Sequence, residues 1–133
     1  MNQHPYLRAY MAGIVVPTLV LLAGVAAFTV ARYAYEMPLN LERLIIFPMT
    51  IVPNLWGLWN ILWVALLARR HVSLGLWGAI LPFLLAPGGL LLARLFDYTI
   101  PHVVPYLFPF GVMLYYLVWK HIVGRLNAII GIA

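Results

Sequence analysis

The segment Pro53-Asn54-Leu55-Trp56-Gly57-Leu58-Trp59-Asn60-Ile61-Leu62-Trp63 gathers the residues of this chain best suited to holding a small molecule. Indole rings offer flat apolar faces with one N–H donor each, and a carboxamide both donates and accepts. On a helix advancing about 100° per residue, Trp56, Trp59, Asn60 and Trp63 fall within an arc of about 100°. Met49, Pro53 and Leu67 share that face, and Asn54 points away from it. Such a stripe would wall a flat or amphipathic apolar ligand and give it one hydrogen-bonding point. It would also pack well between helices, with Asn60 bonding across to a neighbour. On either reading Asn54 and Asn60 need partners, because a bare amide in hydrocarbon costs on the order of a few kcal/mol.

A second aromatic group lies late in the chain: Tyr106, Phe108, Phe110, Tyr115, Tyr116 and Trp119. Phe108 and Tyr115 share a helix face at seven-residue spacing, with Tyr116 beside them. Tyr106 and Trp119 are expected nearer the two membrane interfaces, where such rings concentrate. The candidate ligand-binding set is therefore Trp56, Asn60, Trp63, Tyr115 and Tyr116.

The ionisable residues offer less. Asp97 and His102 would face each other across a loop as a proton relay or half a metal site, but a third ligand exists only in Glu36 or Glu42. Arg94 and Asp97, three apart, suit an interfacial ion pair instead. His4, His71 and His121 stand beside basic residues such as Arg70 and Lys120, as boundary residues do, so no haem, metal or other cofactor is expected. Ser73 is the only serine and cysteine is absent, which excludes a serine triad, disulfides and thiolate chemistry. No catalytic residue is assigned.

These residues sit on elements whose nature is set by hydropathy. Uncharged stretches Ala9–Ala31, Leu44–Ala68, Val72–Ala93 and Tyr98–Trp119 run 23, 25, 22 and 22 residues. About 20 apolar residues of helix cross a hydrocarbon core of about 30 Å. With 65% hydrophobic and only 8% charged residues, the chain has no material for a separate soluble domain. The expected fold is an all-α membrane protein, an antiparallel bundle of four transmembrane helices with helices 2–4 kinked. The spans run about 10–32, 44–68, 72–95 and 103–122, in a single domain over 1–133. The first span is longer than a cleaved signal's apolar core and reads as retained.

The Arg69–His71 link is too short for anything but antiparallel neighbours. Arg8, Arg69, Arg70, Lys120 and Arg125 fall on one side with no acid, whereas Arg32, Arg43 and Arg94 are offset by Glu36, Glu42 and Asp97. The basic side should be cytoplasmic, with both termini there. That rim suits anionic lipid headgroups, and no basic patch extends outward to bind nucleic acid.

Proline and glycine punctuate the spans at Pro48, Pro53, Pro82, Pro101, Pro105 and Pro109, and Pro87-Gly88-Gly89 is the expected place for a broken helix. Ala23, Ala27 and Ala31, with Gly13 and Gly24, give helix 1 a small-residue face for a neighbouring helix or a second copy of the chain. The tail Asn127–Ala133 is expected to lie along the bilayer surface.

No acid lies within a span. A chain similar in size and helix count to the small multidrug-resistance transporters thus lacks the carboxylate a proton-coupled antiporter needs. Leu41-Glu42-Arg43 is similar to a triplet of the membrane glutathione-transferase-like proteins, but the further polar residues of helix 2 that such an enzyme needs are missing. The Pro53–Trp63 segment, with Trp119 and Arg125-Leu126-Asn127, resembles the tryptophan-rich sensory (translocator) proteins. That resemblance implies an aromatic cavity for porphyrins or sterols, though in a family of five helices rather than four.

The functional expectation is a non-enzymatic integral membrane protein that binds or moves a small lipophilic or amphipathic molecule. Its expected partners are membrane lipids, that ligand and a second copy through helix 1. The alternative is an assembly subunit with no small-molecule site. An enzyme working on lipid through Asp97 and His102 has the least support.

Overall fold

The computed structural model describes residues 3–38, 50–67, 70–95, 97 and 99–132. They form four helices. Helix α1 spans Pro5–Ala34. Helix α2 spans Val52–Leu62 and continues as a π-helical turn, Trp63–Leu67. Helix α3 spans Leu74–Leu95. Helix α4 runs Val104–Ile129, with a π turn at Trp119–Val123 inside it. Three of these, α1, α3 and α4, are long and apolar enough to cross a membrane, and α2 is a shorter apolar helix. The chain is an all-α membrane bundle.

Among the described residues three prolines mark helix starts and four, Pro17, Pro82, Pro87 and Pro109, lie inside helices. Pro5, Pro53 and Pro105 occupy first-turn positions, where the missing N–H has no intrahelical acceptor to lose. Helix α2 therefore takes Pro53 into its first turn, and the expected residues 44–49 of that span lie outside the described residues. Helix α3 runs unbroken through Pro82 and Pro87-Gly88-Gly89, so the expected break there is not present. The reason is solvent. In hydrocarbon no water takes over freed backbone groups, each costing several kcal/mol, whereas a helical glycine costs only about 1 kcal/mol.

Neighbouring helices are antiparallel. Ala9 and Gly13 of α1 meet Asn60 and Trp56 of α2 in reverse order. Trp59 and Trp63 meet Trp77 and Val72 across the α2–α3 turn. Gly75 and Phe83 of α3 meet Tyr116 and Phe108 of α4. Helix α4 then returns to α1, where Arg8 Nη1 donates to the Ile130 carbonyl at 3.2 Å. A guanidinium there satisfies a carbonyl at the negative end of α4.

Burial is confined to one end of the bundle. The buried residues of α1 are Ala9, Ala12, Gly13 and Pro17, and those of α3 are Gly75, Gly78, Leu81 and Pro82. Along α4 burial begins only at Trp119, followed by Val123 and Asn127. The same end carries Arg8, Arg70, Lys120 and Arg125 and, among the described residues, no acid.

The face of α1 that packs is thus Ala9–Gly13–Pro17, while Ala23 and Ala27 are exposed. Glycines set the helix spacing. A Cβ on Gly13 would come within 2.6 Å of the Trp56 carbonyl oxygen and 2.9 Å of the Gly57 Cα. The α1 and α2 backbones touch there.

Candidate functional site

The aromatic residues pack against one another. Trp56 lies with its ring centroid 5.0 Å from Tyr115 and 5.2 Å from Trp119, and its Nε1 donates to the Tyr115 hydroxyl at 3.4 Å. Leu81 and Val123 complete this cluster. Trp119 is wholly buried and fits a notch made by Gly78, where a Cβ would overlap the indole. It is therefore a core residue and not the interfacial ring expected from its place near the end of a span. Its indole N–H is the only buried side-chain polar atom without a hydrogen-bond partner among the described residues.

Trp59 stacks on Trp77 with centroids 4.1 Å apart and planes within 9° of parallel. Each indole N–H donates to the other residue's backbone carbonyl at 2.9 Å, so the pair clamps α2 to α3 at both edges. Trp63 bonds the Val72 carbonyl at 3.3 Å and closes the turn below them.

Asn60 is fully buried and faces Asn127, also fully buried. The amides bond reciprocally: Asn60 Nδ2 to Asn127 Oδ1 at 2.8 Å, and Asn127 Nδ2 to Asn60 Oδ1 at 3.1 Å. Asn60 Nδ2 also donates to the Ala9 carbonyl at 2.7 Å. Three helices are tied by one amide pair in an apolar setting. Asn127 reaches this position because α4 continues to Ile129, so the expected surface-lying tail is helix at its start. The π turn at Trp119–Val123 inserts one residue into the helical turn and re-aims the residues beyond it, bringing Trp119, Val123 and Asn127 onto one buried face. Asn54 also finds partners, the Tyr10 hydroxyl, which donates to its Oδ1, and the Thr50 carbonyl at 2.6 Å.

Of the five candidate residues, Trp56 and Tyr115 meet directly. Asn60 is engaged with Ala9 and Asn127, and Trp63 with Val72. Tyr116 lies beside Gly75, with Lys120 Nζ 5.5 Å from its ring centroid as a cation–π contact. Among the described residues these contacts are separate ones: Trp56 with Tyr115, Asn60 with Ala9 and Asn127, Trp63 with Val72, and Tyr116 with Lys120. Trp77, Gly78 and Asn127 join them, residues that spacing within α2 alone does not reveal. The four-residue spacing of Trp119, Val123 and Asn127 was the available signal.

A furrow of about 880 Å³ lies between α1 and the end of α4. Met11, Val15 and Leu19 form one wall, Leu126 and Ile129 the other, and Arg8 stands at one end. Its lining is almost wholly apolar, with the Thr18 hydroxyl the other polar side chain.

Comparison with family models, with curated proteins and with solved structures finds no match to this chain.

The polar termini carry little chemistry. His4, His71, Asp97 and His102 are exposed, and no group of three His, Cys, Asp or Glu residues among the described ones could hold a metal ion. Asp97 meets Arg94 through the backbone, its N–H donating to the Arg94 carbonyl at 3.3 Å.

Proposed function

We propose that the protein is a non-enzymatic, multi-pass membrane protein that binds a small lipophilic or amphipathic molecule. Its seat is the furrow between α1 and the end of α4. The aromatic and amide core of Trp56, Asn60, Trp63 and Tyr115, with Tyr116 at its edge, is the frame holding those helices apart at a fixed distance. The observation that carries this reading is the furrow itself. Its volume of about 880 Å³ falls in the range of small-molecule sites, roughly 300–1,000 Å³, and it joins apolar walls to one charged residue. The basic end of the bundle is cytoplasmic in this reading, with both termini on the cytoplasmic side of a bacterial-type inner membrane.

Filling the furrow tests it. Val15→Trp is expected to lower retention of co-purifying lipophile by about tenfold, equivalent to about 1.4 kcal/mol, as read by native mass spectrometry. Trp56→Phe should retain it. Undiminished retention in Val15→Trp with loss in Trp56→Phe would return the ligand to the aromatic cluster.

An assembly role is the second reading. It is favoured by α1 beyond Pro17, where Ala23 and Ala27 are exposed and a Cβ on Gly24 meets nothing within 4 Å. In that case the same spectra show a stable homo-oligomer that Ala27→Leu disperses.

A further inference from the structure

The furrow has a direction, a length and a charge. Arg8 stands at its mouth, half-buried, at the end of the bundle that also carries Arg70, Lys120 and Arg125. From Arg8 to Leu19 the α1 wall rises about 16 Å, at about 1.5 Å per residue. Half of a hydrocarbon core of about 30 Å is about 15 Å. The length of this wall matches one leaflet, from headgroup level to the bilayer midplane. Arg8 spends one N–H on the Ile130 carbonyl, and a guanidinium carries five such donors in a planar fork suited to phosphate oxygens.

Resting on the reading of the furrow as the ligand seat, we propose that its occupant is one anionic phospholipid of the basic-side leaflet. An acyl chain lies along Met11, Val15 and Leu19, and the phosphodiester sits at Arg8. Charge complementarity selects this occupant, because a cation at the mouth of an apolar channel rewards an anionic head on an apolar tail. Among the described residues no acid stands beside Arg8, so a wholly apolar molecule brings it no counter-charge. A second copy of this chain would have to offer an acid at that depth, and the acids among the described residues, Glu36 and Asp97, follow the ends of α1 and α3 far from Arg8.

The test uses the full chain in mild detergent, titrated with phosphatidylglycerol and with phosphatidylcholine of identical chains, and read by native mass spectrometry. Wild type should retain one phosphatidylglycerol in about fivefold preference, the effect of one cation at an anionic lipid surface. Arg8→Gln, which keeps an N–H donor for Ile130, should bind both lipids equally. Arg8→Lys should keep the preference, and so should Lys120→Gln, which removes a rim charge outside the furrow. Equal retention of the two lipids by wild type overturns the proposal. So does a preference that survives in Arg8→Gln, one lost equally in Lys120→Gln, or a dimer that excludes lipid. If Arg8→Gln loses the preference but still holds lipid that Val15→Trp releases, both readings stand. If wild type retains lipid without preference and Val15→Trp releases it, only the headgroup assignment fails.

Discussion

Gly13→Ala is expected to destabilise the protein by about 2–3 kcal/mol, whereas Gly24→Ala, eleven residues on in the same helix, should stabilise it by about 0.5–1 kcal/mol. Both substitutions add one methyl group and both remove a helical glycine, so propensity favours each equally. The difference is what the methyl meets. At Gly13 it falls within 2.6 Å of the Trp56 carbonyl oxygen and 2.9 Å of the Gly57 Cα, which are backbone atoms with no rotamer to change. The α1 and α2 axes must separate, and the Asn60 bond to the Ala9 carbonyl, one turn away, lengthens with them. At Gly24 nothing lies within 4 Å. Reversible unfolding in mixed micelles measures both. Equal effects would mean that the close approach of α1 and α2 is not part of the native packing.

The second large effect concerns the amide pair. Asn60→Leu should cost about 2–3 kcal/mol, because it leaves the buried Asn127 amide without a partner in an apolar medium and removes the bond that ties α2 to the Ala9 carbonyl. Asn127→Leu should cost somewhat less, since Asn60 keeps its bond to Ala9. The double variant leaves neither amide stranded and should recover about 1–2 kcal/mol of the summed loss, near the upper end for side-chain hydrogen bonds between membrane helices. Simple additivity in the same unfolding measurement would show that the two side chains do not bond.

Hydropathy revealed the class of fold, because four uncharged stretches in hydrocarbon have helices as their only economical conformation. The Arg69–His71 link made α2 and α3 antiparallel. The need of Asn54 and Asn60 for partners could be argued from the cost of a bare amide, and both have them. The identity of those partners could not, since Asn127 reaches Asn60 only because α4 runs on past Lys120 through a π turn. No local propensity announces a π turn.

Trp119 looked interfacial by its position in the span, yet Gly78 on another helix makes room for it in the core. The tryptophan stripe was visible at once, but a stripe does not say whether its rings face a void or one another. Trp59 illustrates this, its face being covered by Trp77 and its N–H committed to a backbone carbonyl. The furrow was unreadable for a related reason. Its two walls come from opposite ends of the chain, Met11–Leu19 and Leu126–Gly131, and neither wall is amphipathic enough to attract notice.

The central claim is that the aromatic and amide residues frame a binding furrow and do not themselves enclose the ligand. A lipophilic probe carrying a diazirine, supplied at one equivalent per protein in detergent and photolysed, reads this directly by peptide mass spectrometry. The insertions should fall on Met11, Val15 and Leu19 and on Leu126–Gly131. Insertions concentrated on Trp56, Trp63, Tyr115 or Tyr116, or spread evenly over the exposed faces of all four helices, would contradict it.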